Sequence, residues 1–160
     1  MSPSVGTVKV RLLLPSTFEA QPTTRWPVLY LLHGAGGNHA EWTQNTDVEA
    51  LTAPTDLLVV MPDANDANGT QGWYTDWYNG GGGGPPKWET FHLTELLQLL
   101  ERNWQAGDQR AIAGLSMGGG AATGADLEHV GPRLQRGAAL RLGHIHPAHG
   151  GADRGRALLG

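Results

Sequence analysis

Gly114, Leu115, Ser116, Met117 and Gly118 form a G-x-S-x-G, the pattern of a serine nucleophile carried on a tight turn between a strand and a helix. Small residues at both ends let neighbouring chain approach the turn. A helix starting after Ser116 would bring its dipole and the Met117 N–H to the place where charge develops on an attacked carbonyl oxygen. The short run Arg110 to Ala113 precedes the motif, and Gly119, Gly120, Ala121 and Ala122 follow it, side chains small enough for a helix to pack closely on a sheet. A second group, His33, Gly34, Ala35, Gly36 and Gly37, follows the apolar run Val28 to Leu32. Its glycines leave backbone N–H groups unshielded, and the Ala35 N–H is the candidate second donor to an oxyanion, beside that of Met117. His33 has two readings, an imidazole that orders its own loop and one that contacts substrate.

Serine chemistry also needs an acid and an imidazole, which in this arrangement follow the serine in that order. Asp126, Glu128 and Asp153 are the acids after the motif, and His129, His144, His146 and His149 the imidazoles, none in a distinctive context. Without a base a serine hydroxyl is a poor nucleophile at neutral pH. The His144, His146 and His149 cluster could also be read as zinc ligands, but structural zinc sites want four ligands on an ordered scaffold, so no metal and no cofactor is expected.

The elements that must position these residues are four short apolar runs, Val8 to Leu14, Val28 to Leu32, Leu57 to Met61 and Arg110 to Ala113, each closed by Pro or Gly. Leu93, Leu96, Leu97, Leu100 and Trp104 share one helical face over Thr90 to Gln105. Short buried strands separated by helical or looped connections favour a three-layer α/β architecture with a mostly parallel sheet. Asn79 to Pro86, with consecutive glycines and two prolines, reads as a loop. Asp63 and Asp66 read as turn residues with a possible substrate contact. Trp73, Tyr74, Trp77 and Tyr78 form an aromatic group suited either to plain packing or to sugar or lipid contact, with Trp77 the candidate for substrate. Trp88 and Glu89 read as fixing the start of the following helix.

The chain has 160 residues, one domain's length, and a net charge of -4 without a basic stripe, which argues against nucleic acid as a partner. No apolar run is long enough to span a bilayer, and no secretory leader is visible, so the sequence as written reads as cytoplasmic. The absence of Cys rules out thiolate nucleophiles and disulfides. All six Trp, all three Tyr and both Phe lie at or before Trp104. Residues 1–122 therefore carry the fold, and 123–160 form an atypical, weakly structured tail, because a segment without aromatics has little burial to offset its ordering entropy. The change near Gly124 suggests out-of-frame translation beyond it, which translating the other two frames of the source DNA would test.

Leu29 to Gly37, Trp42, D-W-Y at Asp76 to Tyr78, K-W-E-T-F at Lys87 to Phe91, the Leu-rich helix and G-L-S-M-G-G together resemble the putative-esterase branch of the α/β-hydrolases. The similarity is strongest to its secreted, mycolyltransferase-like antigens, and more distant to esterase D. It spans Val5 to Ala122 and implies an α/β-hydrolase-like three-layer sandwich, here C-terminally truncated. It also implies a serine acyl-enzyme mechanism with Ser116 as nucleophile and the N–H groups of Ala35 and Met117 as the oxyanion hole, acting on an ester or glycolipid substrate. His33 stands where the mycolyltransferases carry an acidic, sugar-contacting residue, which departs from trehalose specificity.

Two functional readings follow. One is a serine ester hydrolase or acyltransferase; the other is a truncated, non-catalytic relative that binds glycolipid or protein through its aromatic loop. If strands after the motif are missing, Arg110 to Ala113 becomes an exposed sheet edge, and self-association through it is expected.

Overall fold

The computed structural model of the chain describes residues 1–77 and 87–124. The glycine-rich stretch 79–86, Tyr78 and the tail from 125, with every candidate triad acid and histidine, lie outside the described residues.

Four strands form one sheet: β1 (Val10–Leu13), β2 (Trp26–Leu32), β3 (Leu58–Pro62) and β4 (Ala106–Gly114), in the order β1-β3-β2-β4. β1 runs antiparallel to β3, and β3, β2 and β4 are mutually parallel. β3 is buried along its whole length, as a strand covered on both faces should be. Along β2 the alternation sends Val28, Tyr30 and Leu32 into the larger apolar cluster and Leu29 and Leu31 into the smaller one.

Two connections cover the two faces. Between β2 and β3 the short helices α1 (Glu41–Asn45) and α2 (Val48–Thr52) bring Trp42 and Val48 against Val59 and Met61. Between β3 and β4 a single rod starts as α3 (Trp88–Thr90), widens to a π turn over Phe91–Leu96 and returns to α as α4 (Leu97–Asn103), packing Trp88, Phe91, Leu96 and Leu100 on the opposite face. The path moves one way across the sheet from β2 to β3 and back again from β3 to β4. Right-handed crossovers in opposite directions place their helices on opposite faces, which produces the three layers. The last helix, α5 (Met117–Gly124), lies on the α3–α4 side through Met117, Ala121 and Ala122. The connections leaving β2 and β4 therefore diverge to opposite faces, and the crevice between these two strand ends is where such a sheet binds ligands.

The expected strands are all present with shifted ends. β4 starts at Ala106 rather than Arg110, because Trp26 pairs with Ala106 and Val28 with Arg110, a register shift that bulges the polar residues between them out of the ladder. Pro27, which has no N–H to donate, stands opposite this bulge. The helix expected over Thr90 to Gln105 runs from Trp88 to Asn103 and ends before Gln105, which has a left-handed φ of 54°. Among the described residues β4 pairs with β2 alone, and no helix is long and apolar enough to cross a membrane.

Candidate active site

β4 ends at Gly114, paired with Leu32 of β2, and the chain turns at once into α5. Ser116, at the apex, is exposed and has φ 52°, in the left-handed region that a residue with a Cβ occupies only at a cost of about 1–2 kcal/mol. Main-chain hydrogen bonds hold this strained turn, Leu115 N–H to Leu32 O at 3.1 Å and Gly118 N–H to Leu115 O at 2.9 Å. The motif's glycines are required by contact. A Cβ on Gly114 would lie 2.2 Å from the carbonyl of Gly118, and one on Gly118 would lie 2.5 Å from Leu32 O and 2.7 Å from His33 O. The two turns touch, since a Cβ on Gly34 would stand 3.5 Å from the Ser116 Cβ.

The loop after β2 spends its polar groups almost completely. The Gly34 N–H donates to Glu41 Oε2 at 3.1 Å, the Gly36 N–H to Gln71 Oε1 at 3.2 Å and the Gly37 N–H to Gly34 O at 3.1 Å. The Tyr74 hydroxyl donates to His33 O at 3.2 Å. Among the described residues the Ala35 N–H alone in 34–37 has no acceptor, and Ala35 is exposed. The Met117 N–H, in the first turn of α5, belongs to the donors that a helix leaves unpaired. Met117 follows Ser116 directly in the chain, and Ala35 follows Gly34, whose turn touches that of Ser116.

His33 is 1% exposed. Its Nε2 accepts the Ala64 N–H at 2.9 Å, so Nδ1 carries the proton and donates to Gly34 O at 2.7 Å. With both nitrogens committed to main chain, no ring nitrogen remains for a substrate; this geometry fits the loop-ordering reading and not the substrate contact expected of it. Trp77, the other candidate for substrate, does not line the cavity beside Ser116. Its Nε1 donates to Gly72 O at 3.0 Å, and its neighbour Trp73 takes the position on the cavity beside Ser116. Trp73 and Tyr74 are consecutive left-handed residues, φ 55° and 57°, which turn the Trp73 indole outward, 57% exposed, and the Tyr74 ring inward.

That cavity, of about 400 Å³, runs from Ser116 and Met117 between α5 and the α3–α4 rod, past Leu93, Leu97 and Ile112 to Tyr30. Its wall is largely apolar, with polar groups from Ser116, Thr75, Glu89, His92 and the two tyrosines Tyr30 and Tyr74. Burial pushes the Tyr30 phenol up to about 12, so that hydroxyl stays neutral. Glu89 faces the cavity instead of serving only the helix start; the start is fastened by Asp76, whose carboxylate accepts the Thr90 N–H at 3.0 Å and its hydroxyl at 2.6 Å.

His92 had no place in the sequence reading. Lying in the π turn, it sets Nδ1 at 2.6 Å from Trp88 O and Nε2 at 3.0 Å from Asp63 O, stacked on Trp88 and 5.0 Å from the Tyr74 ring. Burial pulls its pKa down to about 4, against the partial support of the two carbonyls. It pins the loop after β3 to the helix and is not placed as a base. Asp63 binds the Lys9 N–H at 3.3 Å, together with the His39 N–H and His39 Nδ1 at 2.5 Å and 2.9 Å, and Asp66 closes a turn on Asn68 and Thr70. Asp66 fits the turn reading, whereas Asp63 is buried and ties together segments 24 and 54 residues away from it.

Comparison with known proteins places this geometry. The chain is 40% identical over 114 residues to Esterase Rv1288 of Mycobacterium tuberculosis, covering 69% of this chain and 24% of that protein. It is 37% identical over 100 residues to the diacylglycerol acyltransferase/mycolyltransferase Ag85A of Mycobacterium leprae, covering 58% and 29%. It therefore spans about a quarter of the length of these curated relatives. A solved structure of the fluorophosphonate-binding serine hydrolase F of Staphylococcus aureus superposes with a TM-score of 0.59 at 25% identity, covering 78% of this chain and 50% of that one. A family model described as "Putative esterase" matches residues 4–131, well over half of the sequence, and the chain accordingly belongs to the Esterase family, with its α/β-hydrolase fold.

Proposed function

We propose that the protein is a serine-dependent ester hydrolase or acyltransferase that works through an acyl-enzyme. The observation that carries this reading is the meeting of a strained, exposed Ser116 with a loop whose N–H groups are all committed except that of Ala35. Ser116 Oγ attacks the ester carbonyl carbon, the carbonyl oxygen takes up negative charge, and the N–H groups of Ala35 and Met117 stabilise it, each worth about 3 kcal/mol in such sites. Collapse of the tetrahedral intermediate expels the alcohol, which takes a proton, and leaves an ester on Ser116. Water or a second hydroxyl then attacks that ester and frees the serine.

The apolar cavity beside Ser116 supports an acyl chain rather than a charged group as the portion held there. The names of the relatives support both outcomes, hydrolysis and transfer to a hydroxyl acceptor such as a diacylglycerol. Neither His33 nor His92 is placed to take the Ser116 proton, since both have their ring nitrogens set against main-chain groups, and the acids and histidines that follow the serine lie outside the described residues. The alternative, a relative that binds without turnover, is separated by one assay. Ser116→Ala is expected to lower p-nitrophenyl ester hydrolysis by about a thousandfold or more, and equal turnover by both proteins rejects serine chemistry.

A further inference from the structure

The loop beside Ser116 contains a carboxylate that the proposed chemistry does not require. Glu41 opens α1, and its side chain folds back over the loop to accept the Gly34 N–H at 3.1 Å. Its carboxylate lies so close over Gly37 that a Cβ there would stand 2.0 Å from Oε2, so the glycine makes room for it. A negative charge next to a developing oxyanion opposes the charge that forms, and a carboxylate kept there calls for a compensating role.

The hydrogen-bond pattern supplies that role. The Gly34 N–H and Ala35 N–H are neighbours on one short turn beside that of Ser116. Glu41 ties down the first and Gln71 ties down the Gly36 N–H, while the Tyr74 hydroxyl holds His33 O on the other side of the same peptide. We infer that Glu41 is a positioning residue, which by binding the Gly34 N–H leaves the Ala35 N–H as the donor presented beside Ser116. The inference rests on the serine reading proposed above. What it adds is that this oxyanion loop is set by a side-chain acceptor seven residues further along the chain and not by its glycines alone.

Four variants of the full chain test it, assayed for p-nitrophenyl ester turnover and for the rate of Ser116 labelling by a fluorophosphonate. Glu41→Ala is expected to lower kcat and the labelling rate by about tenfold to a hundredfold with KM within about twofold, the signature of a donor displaced by an ångström or so. Glu41→Gln keeps an acceptor oxygen and is expected to recover most of that loss. Gly37→Ala leaves Glu41 in place but its methyl expels the carboxylate, so it should reproduce the Glu41→Ala defect. In both Glu41→Ala and Gly37→Ala, amide exchange at Gly34 is expected to accelerate while the sheet amides stay protected, which shows that the fold persists. Equal defects in Glu41→Ala and Glu41→Gln, or wild-type kcat in Glu41→Ala while Ser116→Ala is inactive, overturn the inference and leave the serine reading standing. Full turnover by Ser116→Ala, or neither turnover nor label in the unmodified chain, overturns both.

Discussion

Two turns meet at Ser116, and they are held by different means. The turn from β4 into α5 is shaped by main chain against main chain: Gly114 and Gly118 admit backbone to within distances no Cβ tolerates, and the hydrogen bonds are peptide to peptide. The loop after β2 is shaped by side chains from elsewhere, Glu41, Gln71, Tyr74 and the ring of its own His33. One geometry is written locally and fails when atoms are added. The other is assembled from distant parts and fails when atoms are taken away.

The largest expected effect breaks the first turn. Gly118→Ala puts a methyl against two carbonyl oxygens of neighbouring backbone that cannot swing aside, and it should cost about 3 kcal/mol or more in chemical denaturation and abolish fluorophosphonate labelling. A Gly118→Ala protein with wild-type stability would show that close approach is not what selects the glycine.

The next effect probes the side-chain network through His92. Its pKa falls from 6.5 to about 4 on folding, chiefly through burial. As pH drops, the unfolded chain takes up the proton first, so this contribution is whole above pH 6.5 and is lost as pH falls towards 4. Up to about 3 kcal/mol is involved. Urea midpoints measured through this window should fall steeply, and His92→Gln should flatten the slope; a slope indifferent to that substitution removes the ring from the network.

The smallest effect sharpens the same comparison. Tyr74→Phe keeps the ring and deletes the hydroxyl on His33 O, and it should lower stability by about 1 kcal/mol. A loss of kcat with that variant, larger than its loss of stability accounts for, would extend the positioning role to the tyrosine.

The contrast between the turns also explains what could be read in advance. The serine turn is legible because its constraint lies within five consecutive residues, and three of the four strands are legible because they are short apolar runs. β4's first half is hidden by the polar residues of its bulge. α1 and α2 have five residues each and too little length for an apolar stripe. In the loop, the glycines suggest open backbone, yet the residues that fix it sit as far as 35 and 41 positions away, beyond any local pattern. Trp73 and Trp77 look equivalent in sequence. What separates them is a pair of left-handed aromatic residues, a conformation their residue types argue against. His92 carries no motif, and the ring acquires its role only once a helix and a strand end have met.

The π turn over Phe91–Leu96 has a bearing on how this molecule could be altered. A wide turn holds one residue more than a regular coil, so it acts as a slip in the indexing between the start of the rod and its end. Deleting a single residue there would restore an ordinary helix and keep Trp88 and Leu100 in nearly the same angular phase, whereas a deletion in the regular part of the rod would turn one end by about 100° against the other. Insertions and deletions in this rod are therefore governed by angular phase, and where a residue is lost decides whether the wall of the cavity survives.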